Sequence, residues 1–324
     1  MNRALLQLLA CPRDGELLED QGSHLTCAAG HSYAVIDGIP ILLRDDVEQT
    51  HWAAEDSLQA SHTGDFADDD PKALDGQAID PYVQDWIGAT GGLMYQSVVN
   101  RLTEYPIPRI PSEPGNGRTL VDVGCNWGRW TIAAARRGYR PIGVDPSLRA
   151  VRAAKRVCLQ LGIEANFVVG DARYLPFAAQ SLDAAFSYSV IQHLSKADAR
   201  RAAAEIGRVL KPGGRATVQM PNAFGVRCLY HQVRRRFREP RDFQVRYWTP
   251  RELRSAFAAA VGPASLTVDG FFSLNAQPAE AHLLPLRFRA VVRASEVLRR
   301  LTDLIPPLAA TADSLYVRAV RARR

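Results

Sequence analysis

The chain has 324 residues, with 40 Lys and Arg against 34 Asp and Glu, a formal charge of +6 and a pI near 9.2. A chain of this length carries one large core, or one core and a small module, and its modest positive surplus favours anionic partners without reaching the density of a dedicated nucleic-acid binder. Five scattered cysteines make no disulfide framework, MNRALLQLLA is too short an apolar run for a signal peptide, and no later stretch reaches the ~18 apolar residues of a membrane span, so the expectation is a soluble cytoplasmic protein without stable membrane insertion.

Residues 1–44 are expected to form a compact β-rich module. Leu25 to Cys27 end one strand, and SYAVIDGIPILL gives two more around the Asp37-Gly38 turn. So small a unit needs a metal or a neighbouring domain to stay folded. Cys11-Pro12-Arg13-Asp14 and Cys27-x-x-x-His31 offer two thiols, a carboxylate and an imidazole, and aspartate can ligate zinc through oxygen. With DGIPILL following, this stretch resembles the zinc ribbon of the small activator of tRNA methyltransferases, and of bacterial rRNA guanine methyltransferases that fuse such a ribbon to their catalytic domain. The departure is Asp14, where the ribbon normally carries a cysteine. The resemblance implies either a zinc site at Cys11, Asp14, Cys27 and His31 or a metal-free ribbon packed on the main domain. In both cases it braces that domain or helps recognise substrate.

Residues 45–82 are acidic, with Lys72 their only Lys or Arg, and read as a linker tethering the module. From residue 83 to 324 the pattern becomes alternating helices and short buried strands. TLVDVG (119–124), RPIGVD (140–145), ANFVVGD (165–171), LDAAFSY (182–188) and GRATVQM (214–220) are apolar runs separated by helix-length stretches, the rhythm of a parallel sheet covered on both faces. SLTVDG (265–270) and DSLYVRAV (313–320) close the domain.

VDVGCNWGRW (121–130) is a strand, a glycine-bearing turn and a helix. Gly124 and Gly128 let backbone turn sharply beside a ligand at the carboxyl edge of the first strand. The spacing is not G-x-G-x-x-G, and Trp127 and Arg129 occupy the turn that would seat a pyrophosphate. The second strand ends at Asp145, placed for ribose hydroxyls, an acid that dinucleotide enzymes also use. The third ends in Gly170-Asp171-Ala172, suited to an adenine ring. Tyr188, Gln192 and His193 follow the fourth, and a Lys211-Pro212-Gly213-Gly214 turn precedes the fifth.

This ordered set, over roughly residues 90–320, resembles the class I S-adenosylmethionine-dependent methyltransferases, within them the ubiquinone/menaquinone-type branch. The resemblance implies an α/β, doubly wound, Rossmann-like sheet of seven strands with the last antiparallel. It also implies a cofactor site of Asp122, Gly124, Asn126, Gly128, Asp145, Asp171, Ala172 and Tyr188. Gly124 to Gly128 would lie beside the methionine moiety, Asp145 on the ribose, and Asp171 with Ala172 at the adenine. Asn126 stands where many members carry glycine; asparagine tolerates positive φ better than other side chains.

Methyl transfer needs chiefly positioning, plus a proton acceptor when the acceptor is a hydroxyl. His193 is the candidate general base, with hydrogen bonding to a neighbouring loop as the alternative. Asp183 reads as structural, and Cys125, Cys158 and Cys228 as small buried hydrophobes. The Asn/Asp-Pro-Pro-Tyr signature of many base methyltransferases is absent, as is a Pro-Cys nucleophile in this region. Substrate recognition is assigned to Asn222, Arg246, Tyr247 and Trp248, the last two ending a loop before the capping box Thr249-Pro250-Arg251-Glu252. The insertion 272–312 reads as a lid over the acceptor, or as a basic amphipathic helix touching a membrane.

The expected function is S-adenosylmethionine-dependent methylation, at oxygen, of a small-molecule, glycan or lipid-linked acceptor. The alternatives are methylation of an rRNA or tRNA base, which makes RNA the partner, and a non-catalytic S-adenosylmethionine-binding scaffold. The sequence names no oligomeric state.

Overall fold

The computed structural model describes residues 2–63 and 78–322. The N-terminal part comprises helix α1 (Arg3–Leu6) and strands β1 (Glu19–Asp20), β2 (His24–Thr26), β3 (Ser32–Ile36) and β4 (Ile39–Leu42), followed by α2 (Trp52–Thr63) and α3 (Pro81–Thr90). Then come β5 (Thr119–Val123), α4 (Arg129–Arg136), β6 (Arg140–Asp145), α5 (Leu148–Gln160), β7 (Asn166–Gly170), β8 (Leu182–Ser187), α6 (Lys196–Val209) and β9 (Leu210–Pro221). The chain closes with α7 (Val226–Arg234), α8 (Pro250–Ala260), β10 (Ala264–Gly270), α9 (Leu286–Leu304) and β11 (Ser314–Val320).

One mixed sheet of 11 strands runs β1-β2-β3-β4-β7-β6-β5-β8-β9-β11-β10. β5 is buried at all five positions, as expected of a parallel strand covered on both faces. Strands β7, β6, β5, β8 and β9 are parallel, and β11 lies antiparallel between β9 and β10. The order reverses between β5 and β8, which opens a crevice beyond the carboxyl ends of the strands. Among the described residues no helix is long and apolar enough to cross a membrane.

Two features differ from the sequence expectations. The N-terminal strands do not form a separate tethered unit, because β4 pairs in parallel with β7 through Ile41 with Val169 and Leu42 with Gly170, extending the main sheet. Leu9, Cys11, Leu25 and Leu42 share a core cluster with Val121, Val168 and Phe177. The physical reason is area: four very short strands bury too little apolar surface alone, and the exposed edge of β7 supplies the rest. The Asp37-Gly38 turn does form as expected, with φ of 52° and 72°, the left-handed pair of a tight hairpin.

The second difference lies in the expected linker 45–82. Residues 52–63 form α2, which buries Ala53, Ala54, Ser57 and Ala60. These are small residues at helical spacing, so the stripe has little apolar contrast to read. Ser57 Oγ donates to the carbonyl of Pro146 at 2.8 Å and accepts from the N–H of Leu148 at 2.9 Å, fastening α2 over the β6–α5 turn. The acidic residues between 64 and 77 lie outside the described residues.

Candidate active site

The crevice holds a cavity of about 1080 Å³ at the carboxyl ends of β5 to β9. That is the upper end of the range for small-molecule sites and leaves room for two ligands. Its floor is the β5–α4 turn. Gly124 has φ +79°, and a Cβ there would stand 2.2 Å from the Val190 side chain, so only glycine fits. Asn126 takes φ +46°, as an asparagine can, and its Oδ1 accepts from the Trp127 N–H at 2.9 Å. Gly124, Asn126, Trp127 and Arg129 all border the cavity.

Asp145, Asp171 and Ala172 border it from the ends of β6 and β7. Asp145 accepts from the N–H groups of Asn126 at 2.9 Å and Ser147 at 3.0 Å, which aims the carboxylate. Burial nevertheless lifts its pKa to about 6, against those two donors. Asp171 is clasped by Arg173, whose Nε and Nη2 donate to Oδ2 at 2.9 and 2.7 Å. Tyr188 borders the cavity too, packs on Trp130 at 4.5 Å between ring centroids, and donates to Asp269 at 3.0 Å. Burial, then the Asp269 charge, pushes that phenol well above its ordinary range.

Two histidines also border the cavity. His193 Nδ1 lies 2.6 Å from the carbonyl of Phe243 and must donate to it, leaving Nε2 as an acceptor, here 3.2 Å from the Gln192 amide nitrogen. His51 has the other tautomer: its Nδ1 accepts from the Ala53 N–H at 3.1 Å, so Nε2 carries the proton. Burial lowers the pKa of both rings and keeps them neutral at pH 7. Phe243 stacks on His193 at 4.1 Å and meets the His51 edge at 4.9 Å, spacing the pair. Trp52 of α2 with Tyr82 and Trp86 of α3 extend this aromatic wall.

Several expected site residues stand elsewhere. Asp122 alternates to the far face of β5, where Thr131 Oγ1 donates to it at 2.7 Å; burial raises its pKa to about 7. Gly128, φ +84°, starts α4 against Ala154 behind the turn. Asn222 is wholly buried, its amide donating to the carbonyls of Ala310 and Ala312 at 2.9 and 2.8 Å. Arg246 spends its guanidinium on the carbonyls of His193, Asp242 and Gln244, stapling the loop that carries Phe243. Trp248 lies in the core under Lys196 and Arg200 at 5.1 and 5.3 Å. Of the four proposed acceptor-side residues, Tyr247 alone borders the cavity. Asp183 is structural as expected, holding the Thr119 N–H and Lys211 at 2.8 and 2.7 Å. The insertion contributes residues 273–275 to the rim, whereas α9 packs on β10, with Ser295 donating to the Phe271 carbonyl at 3.2 Å, and is no lid.

Sequence reasoning missed His51, the α2–α3 wall and the anchor formed by Arg129. That guanidinium is buried at the edge of the cavity and its Nη2 pairs with both oxygens of Glu280, at 2.7 and 2.5 Å. Burial pulls its pKa down, but Glu280 more than offsets this and holds it above the ordinary value. The pair ties the 275–280 segment to the start of α4. An arginine inside a glycine turn was the available signal.

In the turns flanking the N-terminal strands, Cys11, Asp14, Cys27 and His31 bring one ligand atom each to within 4.8 Å of one another. His31 Nδ1 lies 2.9 Å from Asp14 Oδ2, 3.3 Å from Cys27 Sγ and 3.5 Å from Cys11 Sγ. Ligands of a tetrahedral zinc stand about 3.3 to 3.8 Å apart, so this donor set fits one with slight expansion. Tyr33 OH, 3.1 Å from Cys11 Sγ, is in place to steady that sulfur. All five cysteines are free thiols.

Residues 120–214 match the family described as Methyltransferase domain. The biotin biosynthesis bifunctional protein BioHC of Cellvibrio japonicus is 30% identical over 227 residues, 67% of this chain and 42% of that protein. The ubiquinone biosynthesis O-methyltransferase of Brucella anthropi is 30% identical over 107 residues, 33% of this chain and 42% of that protein. A solved complex of the Haloferax volcanii Trm112 methyltransferase activator with a methyltransferase aligns at 19% identity and a TM-score of 0.46, over 75% of this chain and 95% of that one. The chain spans less than half the length of these two curated relatives. Residues 120–214 therefore form a methyltransferase domain.

Proposed function

We propose that the chain transfers a methyl group from S-adenosylmethionine to an oxygen of a small-molecule, glycan or lipid-linked acceptor. The observation that carries this reading is one cavity bordered by Gly124, Asp145, Asp171 and Ala172, a set suited to a nucleoside, and by two neutral histidines of opposite tautomer. The glycine cradle, which any Cβ would fill, and the buried Asp145 carboxylate fit that cofactor. The Brucella relative's name, a ubiquinone biosynthesis O-methyltransferase, is in keeping with transfer to oxygen.

The cofactor supplies an electrophilic methyl on a sulfonium, and in-line displacement then needs alignment and removal of the acceptor's proton. Asp145, held in place by the Asn126 and Ser147 N–H groups, would accept from the ribose hydroxyls. The backbone at Gly124 would hold the methionine portion and Asp171 with Ala172 the adenine. Nε2 of His193 takes the acceptor's proton when the Gln192 amide gives way, and the Phe243 carbonyl steadies the imidazolium formed. Nε2–H of His51 donates to the acceptor's oxygen or a neighbouring one. The aromatic wall keeps water from the reacting atoms.

The same reading assigns zinc to Cys11, Asp14, Cys27 and His31, where it would staple the short strands that extend the sheet beyond β7. The test is methyl-labelled cofactor with the protein against a cell extract split into RNA, protein, lipid and polar small-molecule or glycan fractions. Label in the lipid, glycan or small-molecule fraction supports this function. Label in RNA replaces it with base methylation, and no label in any fraction despite cofactor binding replaces it with a binding scaffold.

A further inference from the structure

α7 leaves β9 beside the cavity, and its two sides differ sharply. The inner side carries Cys228 and His231, both of which border the cavity. Asp313 holds the helix start by accepting from the N–H groups of Arg227 at 2.7 Å and Cys228 at 3.0 Å. The outer side carries Val226, Leu229, Tyr230 and Val233, exposed by 65%, 44%, 58% and 55%. At 3.6 residues per turn these four fall within an arc of about 100°. Phe237, 65% exposed, follows in the turn after the helix, where Arg236 and Phe237 both take φ of 55°. A left-handed phenylalanine is a costly way to project an apolar ring into water, and a surrounding that receives the ring accounts for it.

The flanks of the stripe are basic. Arg234, Arg236, Arg238 and Arg241 are exposed, and none forms an ion pair among the described residues. An amphipathic element with aliphatic and aromatic residues on one face and arginines beside it matches the chemistry of an anionic bilayer surface: apolar side chains enter the acyl boundary while guanidinium groups meet phosphate headgroups. Nucleic acid would use the arginines but has no place for Val226, Leu229 and Val233.

We propose that α7 and the turn to residue 241 dock the protein on the surface of an anionic phospholipid membrane. The docking face and one wall of the cavity belong to opposite sides of the same helix, so docking brings the cavity within a helix's thickness of the bilayer. The corollary, that an amphiphilic acceptor enters from the lipid, rests on the methyl-transfer reading; the docking itself does not.

The experiment is sedimentation of the full chain with vesicles of phosphatidylglycerol and phosphatidylcholine, and with vesicles of phosphatidylcholine alone. Binding to the anionic vesicles should be at least roughly tenfold tighter and should weaken with salt, given about fivefold per engaged arginine. Leu229→Asp with Val233→Asp, and separately Arg234→Glu with Arg238→Glu, should each lower it at least about fivefold while calorimetric binding of S-adenosylhomocysteine or an unchanged melting temperature shows the variants folded. Equal binding to both vesicles, or to neither, overturns the proposal. So does concentration-dependent self-association that the Leu229→Asp, Val233→Asp variant abolishes without any vesicle binding, or capture of an RNA oligonucleotide in place of vesicles.

Discussion

Replacing Glu280 by alanine strands the Arg129 guanidinium where the two side chains are 8% and 1% exposed. Removing one partner of a buried ion pair costs about 3–5 kcal/mol, because the remaining charge stays desolvated. Two features move this case toward the low end: Arg129 keeps the carbonyls of Pro106 and Asn275 at 3.2 and 3.0 Å, and it borders a cavity that admits water. One adds to it, since Glu280 also accepts from the Gln277 N–H at 3.1 Å, a cap contributing about 1 kcal/mol. The expected loss is about 3–4 kcal/mol, or roughly 6–16 °C in melting temperature for a domain of this size. Urea titration of Glu280→Ala, Arg129→Ala and the double variant measures it. The double variant should be less destabilised than the sum of the singles by at least about 2 kcal/mol. A loss under about 1 kcal/mol, or simple additivity, would refute the claim that this pair clamps the 275–280 segment to the β5–α4 turn.

Other expectations follow from the same geometry. Cofactor affinity should fall as pH drops through about 6, because protonation of Asp145 removes an acceptor from the ribose; calorimetry from pH 5 to 8 that shows flat affinity would contradict this. Asp122, raised to about 7, stabilises the fold least when ionised: that contribution is whole below the ordinary carboxyl pKa and lost as pH rises through about 7. Asp122→Asn should therefore gain stability over the native chain from about pH 4 to pH 7 and hold a constant lead above, and a lead that shrinks with pH would reverse the sign argued here. His193→Ala should reduce turnover about 10²-fold or more with cofactor binding intact, and His51→Ala should do less; native rates in both would make the rings structural. Protein purified without chelators should carry about one zinc per chain, and Asp14→Ala should lose it, whereas metal-free native protein would leave a hydrogen-bonded cluster.

The sheet was largely legible because its strands are short, doubly buried apolar runs whose spacing leaves few alternatives. The capping box at Thr249 formed as read, with Glu252 reaching back to the Thr249 N–H at 2.8 Å, because both partners are local in sequence. Long-range partnership was not legible. Nothing near Arg246 announced that its guanidinium would be consumed by loop carbonyls, and nothing near Arg129 pointed to a carboxylate 151 residues away. Asp122 was misplaced by a one-residue question of which strand face it takes, which alternation decides only once the covering helix is known. α2 escaped notice because alanine and serine give a buried face almost no hydrophobic contrast with an acidic surround. The aromatic wall depends on that helix, so it went with it.

The most direct test of the central claim is isothermal calorimetry of S-adenosylmethionine with the native chain and with Asp145→Ala. The account predicts one saturable site on the native chain and no measurable heat from the variant, with the variant's melting temperature showing it folded. Absence of binding to the native chain, or equal affinity in both, would contradict a cofactor site built on Gly124, Asp145 and Asp171.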